Sequence, residues 1–194
     1  MTFDQKISLM ISFITLIVAV LTLIATIWIP HKIKWEQLYS SLLEEERSLD
    51  FAIALQGVIE FFVTECNNDV SQIAANYKAH FIKEITNCKG NINKENCLHF
   101  QRRLLSQFFW QLNRCAKPLA IGKKRIARDF TSSEAKLLRI LIYIGKAIED
   151  DEDGILYKDI SSDARVRKSE HYRGLNKSLA EIYHVLKESK RFIE

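Results

Sequence analysis

Hydrophobic positions follow one another along the chain in two ways, first as an unbroken run and then as a series of amphipathic segments. Residues 7–29 are 23 residues without a charge. At ~1.5 Å per residue a helix of that length reaches about 35 Å, enough to cross a hydrocarbon core ~30 Å thick with some tilt. A cleavable leader would be shorter, more basic at its start and followed by small residues, whereas this run ends in Trp28, Ile29 and Pro30. Residues 1–30 therefore read as a short tail and a permanent single-pass transmembrane helix. Within it Ser8, Ser12, Thr15, Ala19, Thr22 and Thr26 succeed one another at spacings of 4, 3, 4, 3 and 4, the seam of a left-handed coiled coil, which Gln5 extends backwards. Lipid gives apolar side chains no reason to cluster, so membrane helices associate through close backbone approach and bonded hydroxyls. The stripe predicts a homo-oligomer face or, in a larger ring, the wall of a pore. The plainer alternative is that each hydroxyl bonds back to its own turn.

The remainder, residues 31–194, predicts one all-α domain, a bundle of about five to six helices with no sustained strand alternation. Pro30 suits either a kink leaving the membrane or the first position of a new helix. Residues 35–64 read as one helix with a stalk-like start over 31–48. Trp35, Leu38, Leu42, Leu49, Ala52, Ile59 and Val63 form one of its faces, and Phe51, Leu55, Val58 and Phe62 a second, which would make it central in the bundle. Gly57 marks a close helix approach. Asn67, Asn68 and Asp69 form a turn and an N-cap, and the following helix carries Val70, Ile73, Ala74, Tyr77, Phe81 and Ile85 until Gly90. After a polar loop over 91–96, a further helix turns Cys97, Leu104, Leu105, Phe108, Phe109, Leu112 and Cys115 inward and Arg102 and Arg103 outward, and it ends before Pro118. Residues 118–128 read as irregular and basic. Thr131 and Glu134 have the spacing of a capping box for a helix through Leu138, Leu141, Ile142, Gly145 and Ile148. An acidic turn over 149–153 closes at Gly154, and a last helix holds Leu175, Leu179, Ile182, Tyr183 and Leu186.

Charge adds an orientation. The net charge is +4, and all of it lies in residues 31–194 because Asp4 and Lys6 cancel. His31, Lys32 and Lys34 follow the span, and basic flanks stay on the cytoplasmic side. The expectation is a bacterial inner-membrane protein with its N-terminus out and its C-terminal domain in the cytoplasm. Trp28 and Trp35 bracket the boundary as interfacial aromatics do. Cys66, Cys88, Cys97 and Cys115 lack a framework spacing and read as free core thiols in a reducing compartment.

No cofactor and no metal site is expected. Residues 149–154 hold acids at positions 1, 3 and 5 of a calcium loop and Gly at 6, but Ile160 stands where the bidentate acid belongs. Cys88, Cys97 and His99 match no zinc spacing. Two basic stretches carry the candidate ligand site. Lys123, Lys124, Arg125 and Arg128 follow Gly122, and Arg165, Arg167, Lys168 and Arg173 surround Tyr172 just before Gly174. Read as interruptions of the helical pattern, they would leave backbone N–H groups free to hold phosphate beside the cations, with Tyr172 stacking on a base. Such stretches also serve as solvated or lipid-facing surface. DNA is not expected as a partner.

Arg165 and His171 form an R-x5-H pair that resembles the motif of helical HEPN ribonucleases, which would imply RNA cleavage. Over its whole length, a polar-striped span followed by a basic helical domain, the chain is similar to the small membrane effectors of bacterial antiphage defence, in particular those of type III CRISPR systems gated by cyclic oligoadenylate. That resemblance implies a non-enzymatic homo-oligomer in the lipid bilayer, whose cytosolic domains bind a cyclic oligonucleotide and whose spans then perturb the membrane. The competing reading is an adaptor that tethers a helical interaction domain.

Overall fold

A computed structural model describes residues 3–87, 97–116, 121–130, 132–150 and 162–189, with side chains throughout except at 3–7, 9, 85–87, 132–133, 162–172 and 189. Helix α1 (Phe3–Glu46) runs through the whole apolar segment and onward without interruption. Pro30 lies inside it. The ring removes one bond to the preceding turn, and in a helix of 44 residues the loss neither starts nor ends an element. The span and the stalk are thus one rod. Its apolar stretch, mean hydropathy 2.7, is long enough to cross a membrane, and none of it is buried by the rest of the chain.

The helix expected over 35–64 is two helices. α1 ends at Glu46, and α2 (Leu49–Thr64) starts from Ser48, whose backbone is extended and whose hydroxyl accepts from the Phe51 N–H at 3.1 Å. Periodicity passed over this cap because the apolar spacing of the sequence continues from Leu42 to Leu49, although the buried face does not. Of the two expected faces, the one through Phe51, Leu55, Val58 and Phe62 is packed in α2 and the one through Leu49 and Val63 is not. Leu49 and Val63 are 74% and 44% exposed, whereas Phe51, Ala54, Val58, Phe61 and Phe62 are buried.

Beyond Asn67 and Asn68, both at positive φ, Asp69 caps a short 3-10 turn (Val70–Gln72) that leads into α3 (Ile73–Asn87). Helix α4 (Leu98–Cys115) buries the expected aromatic stripe, but Arg102 is buried with it and only Arg103 faces out. Leu98, Arg102, Leu105, Phe109 and Leu112 share one heptad face, so position 102 lies on the core stripe whatever its charge.

Helices α5 (Lys123–Asp129), α6 (Ser132–Glu149) and α7 (Ser162–Ser189) complete seven α-helices among the described residues, with no strand. The central position belongs to α6, not to α2. Leu137, Leu138, Ile140, Leu141, Ile144 and Ile148 are buried around its circumference, and α2, α3, α4 and α7 all pack on it. It lies antiparallel to α7, since Gly145 faces Asn176 while Glu149, one turn later, faces Arg173, three residues earlier. A Cβ at Gly145 would collide with the Asn176 amide, and one at Gly57 with the Gln101 amide; both glycines sit at close helix approaches.

Candidate functional site

The first basic stretch is helical rather than irregular. Gly122 caps α5 with an extended backbone, and the N–H groups of Arg125 and Ile126 donate to its carbonyl. Lysine, arginine and alanine are good helix formers, and Ile126, Ala127 and Phe130 pin the segment to the core. Lys123 and Lys124 stay exposed. Arg125 is turned toward α1, where its Nη1 donates to both oxygens of Glu36 at 3.0 and 2.7 Å and its guanidinium lies 5.0 Å above the Tyr39 ring. The Tyr39 hydroxyl in turn donates to Asp129 at 2.7 Å, and Arg128 Nε donates to the other Asp129 oxygen at 2.9 Å. Burial opposes ionisation of Asp129, but the bonds from Tyr39 and Arg128 outweigh it and hold the carboxyl below its usual range. Burial and the Asp129 carboxylate push the Tyr39 phenol well above its ordinary value. Glu36 and Tyr39 lie on α1 just beyond its apolar run, so these five residues latch α5 directly onto that helix. Residues 35–42 carry that signal in the sequence only as a Tyr one turn after Trp35, which an apolar-stripe reading skips.

The second stretch is also helical. Arg165, Arg167, Lys168, His171, Tyr172 and Arg173 all fall within α7, and Gly174 is interior to it with open space where a Cβ would stand. One glycine costs a helix only ~1 kcal/mol. Arg173 Nε donates to Glu149 at 3.0 Å, and Asn176 holds the second Glu149 oxygen at 3.1 Å. The side chains at 165–172 lie outside the described residues. α5 ends where α6 begins, whereas Arg173 is bonded at the far end of α6, about 27 Å along its axis at ~1.5 Å per residue. The two stretches therefore do not converge within one chain.

Along the span, Ser8, Ser12, Thr15, Ala19, Thr22 and Thr26 are all exposed. Thr15, Thr22 and Thr26 donate back to the carbonyls four residues earlier at 2.9, 2.8 and 2.7 Å, which spends those three donors on the helix's own turns.

One polar cluster was not anticipated. His80 on α3 bonds Glu65 through Nδ1 at 2.7 Å and Glu84 through Nε2 at 3.2 Å, and Glu84 also accepts from the Leu98 N–H and the Cys97 thiol at the start of α4. The clasp ties α2, α3 and α4 at one corner. The Glu84 bond, joined by that of Glu65 and opposed by burial, raises the His80 pKa; burial works against Glu84 ionisation, and the His80 and Leu98 bonds overcome it. Among the described residues no group of three acids, histidines or cysteines is placed to hold a metal. Cys66, Cys97 and Cys115 are buried free thiols, with Cys115 pushed up to about 11 by burial, while Cys88 lies outside the described residues.

A raised histidine stabilises the fold below its unfolded pKa of ~6.5 and loses that contribution as pH climbs through the folded value, and a lowered glutamate stabilises above ~4.3 and loses it on acidification. The clasp is strongest between these limits. Thermal unfolding of the full chain in detergent should therefore shift down by roughly 1–5 °C from about pH 6 to about pH 8, and His80→Gln should flatten that slope. An unchanged slope in the variant would remove the clasp as its cause.

The chain matches no family model, no curated protein and no solved structure.

Proposed function

We propose that this chain is a homo-oligomeric membrane effector of antiphage defence, set in the bacterial inner membrane with its N-terminus out. Its cytoplasmic domain senses an anionic cyclic oligonucleotide and its spans then perturb the bilayer. The observation that carries this reading is the latch. Arg125 and Arg128, the cations best suited to phosphate, are held by Glu36 on the membrane helix and by Asp129, to which Tyr39 of the same helix is bonded. A phosphate that takes these two arginines must release both carboxylates, so ligand capture and freedom of α1 are one event. The magnitudes permit it. A half-exposed ion pair such as Arg125–Glu36 is worth ~0–1 kcal/mol, whereas a charge-assisted bond to a bound phosphate contributes ~1.5–3 kcal/mol. Lys123 and Lys124 add exposed charge beside it, and Arg165, Arg167, Lys168, Arg173 and Tyr172 supply the second segment. Since the two segments lie apart within one chain, a ligand with repeated phosphates would meet the same segment on successive subunits of a closed ring.

Titration calorimetry of the full chain in detergent with cyclic di-, tri- and tetranucleotides tests the reading. Binding should fall steeply with salt. Arg125→Ala should weaken it at least about tenfold, and Glu36→Gln, which removes the competing carboxylate, should strengthen it by up to about fivefold. No heat with any nucleotide would sink the sensor. The internal pairing of Arg125, Arg128 and Arg173 favours, as second reading, a membrane-tethered adaptor whose cations serve its own fold; that reading expects no binding and a small stability loss in the same variants. RNA cleavage lost on His171→Ala would instead select the ribonuclease.

A further inference from the structure

The chain has three tryptophans, Trp28, Trp35 and Trp110, and tertiary structure gathers them at one end although Trp110 comes from α4. Arg114, exposed and one turn beyond Trp110, lies 5.0 Å from the Trp110 ring centroid and 5.7 Å from that of Trp35. Trp35 Nε1 donates to His31 at 3.1 Å, and Lys32 Nζ lies 5.2 Å over Trp28. We infer that this end of the bundle is a docking surface for anionic lipid headgroups, with Arg114 as the phosphate ligand and Trp35 and Trp110 as interfacial anchors. The inference rests on α1 crossing a bilayer and is independent of nucleotide sensing.

Height along α1 comes first. Trp28 stands at the end of the apolar run, and Trp35 is seven residues on, about 10 Å along the axis. Helical side chains lean back over the preceding turn, which brings the Trp35 indole down to the headgroup layer, some 5–7 Å deep on each face of the bilayer. Arg114, in contact with Trp35, is carried to the same level. Charge comes second. Arg125, Arg128 and Arg173 each hold a carboxylate of the chain, but among the described residues Arg114 is bonded to none and is steadied by two indole faces. A guanidinium fixed in that way keeps its forked donors for a phosphate. Burial comes third. Phe108 and Phe109 are fully buried, yet Trp110 beside them remains 38% exposed, and an indole half out of a core at the level of headgroups suits the amphipathic boundary where tryptophan is favoured.

Two single-tryptophan versions of the full chain test this in vesicles of phosphatidylcholine mixed with phosphatidylglycerol, with a lipid spin-labelled at its headgroup as quencher. Trp28→Phe with Trp35→Phe leaves Trp110 as reporter and retains an aromatic face under Arg114; Trp35→Phe with Trp110→Phe leaves Trp28. Both reporters should be quenched, Trp110 less so in phosphatidylcholine alone, and Arg114→Gln should lower the docked-to-undocked ratio at Trp110 roughly fivefold. Unchanged helical circular dichroism confirms that the variants fold. Quenching of Trp28 without Trp110 would overturn docking while the anchor stands, and quenching of neither would remove the anchor itself. Trp110 quenched alike in both lipids and in the Arg114 variant would overturn the phosphate role. Protection that disappears on dilution of the protein into excess lipid would assign the face to a second copy of the chain.

Discussion

Phe108→Ala should cost the domain ~3–5 kcal/mol, the usual loss when a buried phenylalanine is cut back to its Cβ. Against a domain stability of ~5–15 kcal/mol, that is about a fifth or more. The ring is fully buried and meets Phe51 at 4.7 Å, Phe109 at 5.1 Å and Phe130 at 6.0 Å, all edge to face. It thereby joins the start of α2, the middle of α4 and the corner between α5 and α6. Phe130 follows Asp129 directly, so loosening that corner also loosens the latch on α1. Urea unfolding followed by circular dichroism measures the loss; Gln107→Ala, exposed on the same helix, should stay within about 0.5 kcal/mol of the parent. A Phe108 loss below ~1 kcal/mol would mean that the three rings do not share one core.

Ser12, Thr15 and Thr22 changed together to Leu should weaken self-association by roughly 2–6 kcal/mol, three positions at ~0.6–2 kcal/mol each. Leu16, Val20 and Leu23 changed to Ala, on the other faces of the same helix, should matter much less. Because Thr15 and Thr22 already donate to their own helix, the gain on association comes from close approach more than from hydroxyl bonds between helices. Alanine at these positions should consequently be tolerated better than leucine. Equal losses from the two triples in a membrane two-hybrid assay would dispose of the stripe, and alanine as harmful as leucine would return the role to the hydroxyls.

Much of the fold was legible because burial is written into periodicity. The apolar run, the stripe of α4 from Leu105 to Cys115 and the last stripe from Leu175 to Leu186 repeat often enough that no local exception hides them. Boundaries were less legible. Ser48 interrupts a pattern that stays in phase, and Pro30 looks like a boundary where none exists. The basic stretches misled because Gly122 opens a helix rather than a loop, and because the helix around Gly174 outlasts one glycine when its neighbours favour it. Arg102 shows the limit of reading charge as exposure, since four apolar neighbours on its face decided its position.

The candidate site divides along the same line. Sequence alone determined a first helix long and apolar enough to cross a membrane, the all-helical class and which cations were present, since these depend on composition and on spacing within a single element. It could not tell which cations were available. That Arg125 faces Glu36, that Arg173 faces Glu149, that His80 meets Glu65 and that Arg114 lies against Trp35 are pairings across 15 to 89 positions in the chain. Only tertiary structure decided them, because side-chain partners that far apart are brought together by the packing of whole helices and leave no periodic trace in the residues between them.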